Sequence, residues 1–374
     1  MYLQTVDVAR QDSVTMTGET KTYELETTGN LSWIDILVNF TADASGADFV
    51  KMILDWITSI EVIGNSTDII VSLDARELAA LIFYDLGHVV EETRTEEQDA
   101  ENYAHLVIPF GRYLGDPEYA LDLSKWDLVE LNITNGDSDT GNFFDTGKYT
   151  IREKFLREGP PPSGYLKTYE ANEWTPASTT DEKTVNVPKE HKIRQIIISV
   201  LPDYPARNAA YAKEMHEILD TIKLEYKSGN IVIFDEDTEE LLRQNADEFG
   251  LAETGGVVQG DNADYFSTDL AWVVDANLSV QQLVGGTTTQ AIAGVYNLPE
   301  SRLAIFENAL AAGQLCNWKA RGYGYMHSAV FHYDRKKDMA NLLDPMEMAT
   351  VRLKYTAGAT NGKVRTVLQQ VITG

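Results

Sequence analysis

The sequence predicts an all-β protein made of two tandem antiparallel β-sandwiches, with short helices and one large loop insertion. Three observations predict this fold class. Short segments that alternate apolar and polar residues recur along the 374 residues, separated by turn residues, which is typical of a sandwich. The apolar pattern occurs twice, at an offset of 162 positions. Helical patterns are too few for a parallel α/β fold, which needs a helix after nearly every strand.

Six segments of the first copy alternate as half-buried strands do, with every second side chain facing a core. They are WIDILVNF (33–40), SIEVI (59–63), DIIVSL (68–73), HLVIPF (105–110), LVELNI (128–133) and YTIREKFL (149–156). One helix is predicted between the third and fourth segments. It begins with Asp74 and Glu77 as a capping pair and ends at Gly87.

The apolar positions of the first copy coincide with apolar positions of the second. Tyr23, Leu25, Leu31, Ile34, Ile36 and Val38 fall on Val185, Val187, Ile193, Ile196, Ile198 and Val200, and Ile57, Ile60, Val62, Ile69, Ile70 and Val71 fall on Leu219, Ile222, Leu224, Ile231, Val232 and Ile233. The helix recurs at an offset of 163, with Asp237 and Glu240 as the capping pair and Gly250 as the end. We infer that one ancestral sandwich was copied in tandem.

The second copy is longer than the first. Residues 107–133 align with residues 329–355, and the increase in offset from 162 to 222 corresponds to 60 extra residues. We predict an insertion at about 251–325, at a loop end of the sandwich, because a sheet interior would lose its ladder. Within it the pattern predicts a helix over Pro299–Ala312 that ends at Gly313.

A proline-rich linker separates the copies. REGPPPSGY (157–165) has three prolines between glycines and continues neither a helix nor a ladder. The next residues, 166–183, are polar and predict an irregular surface segment before the second sheet begins near Val185. We therefore predict domains at 1–165 and 166–374.

Composition narrows the function classes. A 43% hydrophobic content predicts a globular chain, and the single cysteine, Cys316, excludes an intramolecular disulfide. The amino terminus lacks a basic start followed by an apolar run, and no apolar stretch is long enough for a membrane span, which predicts a soluble, unexported product. The net charge of −27 repels phosphate, so direct nucleic-acid binding is not expected.

The last 26 residues are a local exception to the acidic composition. They contain Arg352, Lys354, Lys363 and Arg365 and no acidic residue. A strand pair with exposed basic side chains is favoured over a dedicated patch that faces an anionic surface.

The sequence predicts no catalytic residue, metal or cofactor. His327, His332 and Asp334 match no common metal loop, and strand alternation places the two histidines on opposite faces. Residues 135–142 resemble a calcium loop but lack the glutamate expected at its twelfth position, so a hairpin turn is favoured. The chain has no Gly-x-Ser-x-Gly elbow, phosphate loop or dinucleotide fingerprint.

The six tryptophans raise an alternative function. Aromatic side chains can form a sugar-binding platform, but Trp33, Trp56 and Trp126 lie in apolar-patterned segments and are predicted to be core residues. A tandem β-sandwich that binds carbohydrate or processes glycosides is therefore the alternative reading.

The organisation of the chain resembles a known family. Two tandem sandwiches of this size, each with a strand–turn–strand–helix cassette, together with IPFGRYLGDPEYALDL (108–123), resemble the double jelly-roll major capsid proteins. That lineage includes the adenovirus hexon and the shell proteins of tailless, membrane-containing bacterial and archaeal viruses. The second copy reads VFHYD at 330–334 and lacks the Gly-Arg of the motif.

The resemblance implies a structural role in a virion and no enzymatic activity. It implies a homotrimer with six similar sandwiches, which makes a nearly six-cornered tile for an icosahedral shell. Minor capsid or penton proteins are implied as partners, an internal membrane surface is a further candidate partner, and assembly would occur in the host cytoplasm. The insertion would form an outward tower or an intersubunit clasp, and its removal should leave both sandwiches folded.

Overall fold

The computed structural model describes residues 1–16, 18–42, 53–93, 100–136, 144–202, 214–259, 265–267, 269–282, 294–297, 302–306, 314–360 and 362–373. Most of these residues form β-strands, as predicted.

In the described residues, the first half contains ten strands and one α-helix. The strands are β1 (Tyr2–Val14), β2 (Thr20–Glu24), β3 (Asn30–Ala42), β4 (Ile57–Gly64), β5 (Asp68–Leu73), β6 (Glu91–Glu92), β7 (Glu101–Pro109), β8 (Leu121–Asp122), β9 (Val129–Asn135) and β10 (Phe144–Arg157). The helix, α1 (Ala75–Leu86), follows β5, and 3-10 turns lie at Ile53–Trp56 and Leu123–Lys125. One sheet has the order β1-β10-β3-β7-β6, with β8 on β3, and strands β2-β9-β4-β5 lie in a second sheet.

The second half contains the remaining elements in the order β11 (Gly164–Trp174), β12 (Glu182–Asn186), β13 (Lys192–Pro202), α2 (Met215–Ile218), β14 (Leu219–Tyr226), β15 (Ile231–Asp237), α3 (Thr238–Phe249), β16 (Ala252–Gln259), β17 (Tyr265–Ser267), β18 (Leu270–Gln282), β19 (Gly294–Asn297), β20 (Arg302–Phe306), β21 (Gln314–Tyr325), β22 (Ser328–His332), β23 (Val351–Ala357) and β24 (Gly362–Thr373). A 3-10 turn at Lys227–Gly229 precedes β15.

The two halves share one strand order. Strands β11-β24-β13-β22 repeat β1-β10-β3-β7, and β12-β23-β14-β15 repeat β2-β9-β4-β5. Even an irregularity is repeated, because β3 bulges at Ser32 and β13 bulges at Arg194, 162 positions later. A common topology with a common bulge supports the tandem copying inferred from the sequence. The exact domain boundaries at residue 165 remain a prediction.

The two halves are joined by one continuous sheet. Strand β5 of the first half pairs in parallel with β11 of the second, Val71 opposite Thr168 and Ser72 opposite Tyr169, which makes an eight-stranded sheet. The prediction of an irregular surface segment over 166–183 is therefore wrong for β11. Polar residues such as Thr168 are buried there because they face the junction between the halves, so the strand lacks the alternation of a half-exposed sheet.

Strand pairing corrects the sequence alignment at one strand. Val71 lies opposite Val62 on β4, and Phe234 lies opposite Leu224 on β14. Val71 therefore corresponds to Phe234 and not to Ile233, and the offset is already 163 in β15. The extra residue lies in the longer turn before this strand.

The two helices predicted after the paired strands of each copy are confirmed. Asp74 and Glu77 form a capping box, and Gly87 ends α1 with a left-handed φ of 76°. Helix α3 has Asp237 at its N-cap and Gly250 after its last residue, but the Asp237 side chain makes no capping hydrogen bond. The second capping pair predicted from the sequence is therefore not formed.

The described strands of the insertion form two small antiparallel sheets, β16-β21-β18 and β17-β20-β19. The helix predicted over Pro299–Ala312 is wrong for Arg302–Phe306, which forms β20, because pairing with β17 and β19 overrides local helix propensity. The rest of that prediction lies outside the described residues. Near the sandwich, Leu270 and Tyr325 are fully buried in the same apolar cluster as α1.

No helix in the described ranges is long and apolar enough to cross a membrane.

Candidate functional site: the junction between the two halves

Helix α1 forms the centre of the junction. Every residue of α1 except Leu86 is buried, as expected for a helix whose central run is apolar on all sides. Its Tyr84 hydroxyl donates a hydrogen bond to the Ser328 carbonyl of the second half at 2.8 Å. The rings of Phe83 and Tyr325 are 5.6 Å apart, so the base of the insertion packs on this helix too.

A buried polar cluster holds the end of α1 to the second half. The Arg194 side chain is fully buried, and its Nε donates to Asp334 Oδ2 at 2.9 Å. Its Nη1 donates to Asp85 Oδ1 of α1 at 2.5 Å and to Gln369 Oε1 at 2.7 Å. The Gln195 amide also donates to both Asp85 and Gln369. One arginine thus joins a carboxylate from each half.

The charge of Arg194 depends on these two carboxylates. Burial disfavours the charged guanidinium, but the attraction of Asp85 and Asp334 outweighs it and raises the pKa of Arg194. Lys337 also donates from Nζ to the Asp85 carbonyl at 2.7 Å. Removing one member of such a cluster leaves a buried charge uncompensated, which typically costs about 3–5 kcal/mol.

A second ion-pair cluster holds the start of α1. Arg365 of β24 bonds to the capping carboxylate Asp74 and lies 3.0 Å from Glu173 and 3.5 Å from Glu170. Burial opposes the charge of Arg365, yet the carboxylates raise its pKa. Burial, followed by repulsion from Asp74, raises the pKa of Glu77 well above its ordinary value, although Arg365 partly offsets this. Both ends of α1 are therefore bound to the second half through charge.

The four cations near the carboxyl terminus are used within the chain. Arg352 and Lys354 lie 3.8 Å and 3.0 Å from Glu225, and Lys363 lies 3.0 Å from Glu173. Arg365 belongs to the junction cluster described above. These positions agree with the favoured reading of the basic stretch as a strand pair, because carboxylates of the same chain face each cation.

The Gly-Arg motif closes a tight loop beside the junction strand. A Cβ at Gly111 would lie 2.2 Å from the Tyr119 carbonyl oxygen, so only glycine fits. Arg112 donates from Nε to Asp116 Oδ2 at 2.7 Å and lies over the Tyr119 ring. Backbone hydrogen bonds then fix this loop to the start of β11, including one from the Leu166 N–H to the Phe110 carbonyl at 2.9 Å. The motif therefore positions the strand that joins the two halves.

The histidines considered as metal ligands do not converge. His327 lies in the turn before β22, with Nδ1 3.3 Å from Glu214, whereas His332 Nδ1 lies 3.0 Å from Glu248. Asp334 bonds to Arg194 instead. Among the described residues no group of three or more His, Cys, Asp or Glu side chains could hold a metal ion.

Only the first two residues of the calcium-like stretch 135–142 are described, and the rest lies outside the described residues. Asn135 Oδ1 accepts a hydrogen bond from the Tyr149 hydroxyl, and its amide donates to the Thr15 carbonyl at 3.0 Å. This side chain therefore closes the end of the first sandwich.

The tryptophans do not form an exposed platform. Trp56 is buried, and Trp33 and Trp126 are half-buried against the core of the first half, as predicted. The remaining three are Trp174, which stacks on Tyr355; Trp272, half-buried beside Tyr323; and Trp318, which is buried. This distribution does not favour the carbohydrate reading.

Sequence reasoning missed most of this junction. It singled out Arg365 and Asp334 for other reasons and did not identify Arg194, Asp85 or β11. The available signal was the apolar run LAALIFY (78–84) in the centre of α1, since a helix segment with no polar face must be covered by a second unit.

Comparison with solved structures identifies the fold. The crystal structure of the STIV MCP, the virus being the Sulfolobus Turreted Icosahedral Virus, superposes with a TM-score of 0.62 at 8% identity, over 100% of this chain and 97% of that chain. The PBCV-1 virus capsid gives a TM-score of 0.53 at 10% identity, over 99% and 93%. The major capsid protein of bacteriophage PM2 gives 0.50 at 9% identity, over 100% and 98%.

No family model matches the sequence, and no curated protein matches it either. The similarity is therefore one of fold across the whole length of the chain. The protein has the double jelly-roll fold of viral capsid proteins, which confirms the resemblance drawn from the sequence.

Proposed function

We propose that this chain is a structural major capsid protein whose homotrimer forms a pseudo-hexameric capsomer of an icosahedral shell. The observation that carries the proposal is the continuous sheet that joins two halves of the same topology. The full-length fold similarity to capsid proteins supports the same role, and a shell protein needs no catalytic site.

The trimer follows from geometry. Three chains about one axis present six similar sandwiches, so a threefold ring can fill a site of a hexagonal lattice. The continuous sheet and the buried helix α1 support this arrangement, because the two halves must keep a constant angle for the ring to close.

Charge suggests how the shell responds to salt and which partners it has. Chains with a net charge of −27 repel one another, so capsomer association should strengthen as salt screens the repulsion. We expect minor capsid or penton proteins as partners, no direct contact with nucleic acid, and assembly in the host cytoplasm into a virion. An internal membrane surface is a further proposed partner, but Arg352, Lys354, Lys363 and Arg365 already bond to carboxylates of their own chain.

The insertion supplies the surface that differs between the halves. The sheet β16-β21-β18 begins beside the sandwich, because residues of these strands lie in the same apolar cluster as α1. We propose that the insertion forms the outward tower or an intersubunit clasp.

Light scattering coupled to size exclusion tests the proposal. The purified chain should elute at three times its 41.7 kDa mass, with the trimer fraction rising between about 0.05 M and 0.5 M salt. Electron microscopy of the same samples should reveal six-cornered particles or closed shells. A monomer at every protein and salt concentration would contradict the proposed function.

A further inference from the structure

The first strand of the chain is a copy of the junction strand β11. Residues 2–5 read YLQT and residues 165–168 read YLKT, at an offset of 163. The first bulge of β1 agrees with this alignment, since Val8 is unpaired there and Ala171 is unpaired in β11, also 163 positions apart. Strand β1 has a second irregularity, between Ala9 and Asp12, that β11 lacks. Their partner strands, β10 and β24, are equivalent as well.

The partner of β11 is also duplicated. Strand β5 pairs with β11 inside the chain, and the equivalent of β5 is β15. Within the described residues, β15 is the last strand of its sheet and β1 is the last strand of its own. The chain therefore contains one completed junction and the two separate halves of a second.

Exposure differs between the completed junction and its unpaired copies. Ile70 on β5 is fully buried, whereas its equivalent Ile233 on β15 is 51% exposed. Leu166 on β11 is fully buried, whereas its equivalent Leu3 on β1 is 48% exposed. An exposed apolar edge strand is a template for pairing with another chain.

We propose that β15 of one subunit pairs in parallel with β1 of a second copy, in the same way that β5 pairs with β11 inside each chain. This inference rests on the proposed trimer and specifies its contact. Applying the offset of 163 to the internal register places Phe234 opposite Thr5 of the partner subunit and Asp235 opposite Val6 of the partner subunit. The added strand supplies backbone hydrogen bonds to both open edges.

Charge complementarity supports this occupant. At the internal junction Arg365 bonds to Asp74, and Arg365 is paired with Glu173 on the neighbouring strand. Asp237 is the equivalent of Asp74, and the residue of β1 aligned with Glu173 is Arg10. The internal junction thus has its cation, Arg365, on β24, whereas the proposed contact has its cation, Arg10, on β1. At this register Arg10 of the partner subunit comes close to Asp237.

Arg10 is available for this role. Its side chain is 76% exposed and forms an ion pair only at the surface, with Asp7. Exposed pairs of this kind contribute little to stability, so exchange of Asp7 for Asp237 of a neighbour costs little.

The contact is consistent with the proposed trimer. Each subunit has one β15 edge and one β1 edge, so the contact is head-to-tail, and such contacts form a ring when the rotation between subunits closes. In a trimer, three internal junctions and three contacts between subunits alternate around six sandwiches.

A charge placed on the open edge tests the contact. Ile233→Lys changes an exposed residue, so the variant should fold with an unchanged circular dichroism spectrum and melting temperature. The protein concentration at which half of the chains are trimeric should rise at least tenfold, measured by light scattering. Leu37→Lys, at a 37% exposed residue of β3, an inner strand of its sheet, is the matched control and should leave this concentration unchanged.

A disulfide tests the register. In a Cys316→Ser background, Val6→Cys with Asp235→Cys should give a covalent trimer on a non-reducing gel, since paired Cα atoms lie within disulfide range. A mixture of the two single variants should give covalent dimers only, and each single variant alone should give none.

The outcomes separate this contact from the proposed function. A wild-type trimer with no covalent trimer from the double variant, or equal loss of trimer in Ile233→Lys and Leu37→Lys, would overturn the contact and leave the capsid role intact. A wild-type monomer under all conditions would overturn both.

Discussion

Helices α1 and α3 derive from the same cassette but have opposite environments. Eleven of the twelve residues of α1 are buried, whereas α3 buries only Thr238, Leu241, Leu242 and Asn245. The stretches before both helices have the same strand order, so the cassette itself does not decide burial. The difference arises because the second half covers α1, while the outer face of α3 remains in solvent.

The sequence of each helix is adapted to its place. Ala80, fully buried, corresponds to Arg243, whose side chain is half exposed. Asp85, held inside the junction cluster, corresponds to Glu248, which is 22% exposed and pairs with His332 and Arg335. Matched substitutions at these positions test whether burial explains the difference between the two helices.

Exchanging the side chains of the pair Ala80 and Arg243 should give the largest change in stability. Ala80→Arg places an unpaired charge in a closed apolar site, so we expect the free energy of unfolding to fall by more than about 4 kcal/mol, enough to prevent soluble folding. Arg243→Ala should cost less than about 1 kcal/mol, because its ion pairs with Glu239 and Glu240 are exposed. Urea unfolding measures both. Similar losses in the two variants would refute the difference in environment.

Removing the equivalent carboxylates should give the next largest effect. Asp85→Ala leaves Arg194 with one carboxylate fewer in a fully buried site, and we expect a loss of about 3–5 kcal/mol. Glu248→Ala should cost less, about 1–2 kcal/mol, because Arg335 is 73% exposed and Glu248 is itself partly hydrated, although the His332 side chain is buried. Thermal unfolding of the two variants at one pH provides the measurement. If Glu248→Ala were the more damaging, the cluster at Arg194 would not be the main bond between the halves.

A third comparison concerns β10 and its copy β24, where a buried acid in one half corresponds to an apolar residue in the other. Glu153 is fully buried and aligns with Leu368. Burial raises the pKa of Glu153 from its ordinary value of 4.5 to about 7, although a hydrogen bond from the Glu26 N–H lowers it in part. The folded state therefore binds this proton more tightly than the unfolded state.

The sign of the pH dependence follows from that raised pKa. The stabilising effect of the proton is complete below about pH 4.5 and is lost as the pH rises to about 7. Glu153→Leu should therefore raise the free energy of unfolding by about 2–3 kcal/mol more at pH 8 than at pH 5, since one pKa unit is about 1.4 kcal/mol. Denaturant unfolding at the two pH values tests this. An equal effect at both would mean that Glu153 is ionised in the folded state.

Shortening the insertion should give the smallest effect. Ser279 lies opposite Asn317 in the pairing of β18 with β21, so Asn-Gly can replace residues 280–316 as a two-residue hairpin turn. We expect the free energy of unfolding to change by less than about 1 kcal/mol, because this deletion keeps the buried base residues Leu270 and Tyr325.

A second deletion, of residues 252–325, removes the base of the insertion as well as residues 280–316. It also removes Leu270 and Tyr325 from the cluster around α1, so the sandwiches should lose stability by several kcal/mol. The sequence predicted that the whole insertion can be removed while both sandwiches stay folded. We now expect this only for the deletion of residues 280–316. Equal stability of the two deletions would show that the base does not support the junction.

Local patterns were sufficient for most of the fold. Alternation predicted the strands that contain Ile36, Val62 and Leu131, because one face of each lies in a sandwich core. Capping residues predicted both ends of α1 and α3, since these signals act within one turn of helix. The repeat predicted two similar halves, and their common strand order agrees with it.

The failures have a common cause. The sequence of β11 looked irregular because Thr168 is buried among polar partners of the junction, so no alternation marks the strand. Arg194 and Asp85 are 109 positions apart, and no local pattern reports a contact over that distance. The alignment of β5 with β15 slipped by one residue because apolar residues are consecutive in both strands, and only the pairing register distinguishes the two choices.

Local patterns in the amino-acid sequence were enough to predict the all-β class, the duplication and the two helices, because alternation, repeats and caps depend on neighbouring residues. The folded chain was needed to see that β5 and β11 form one sheet, that Arg194 joins the halves, and that β15 and β1 remain open. Those features depend on which distant surfaces meet, and burial at such a meeting changes the residues that a strand or a helix can accept.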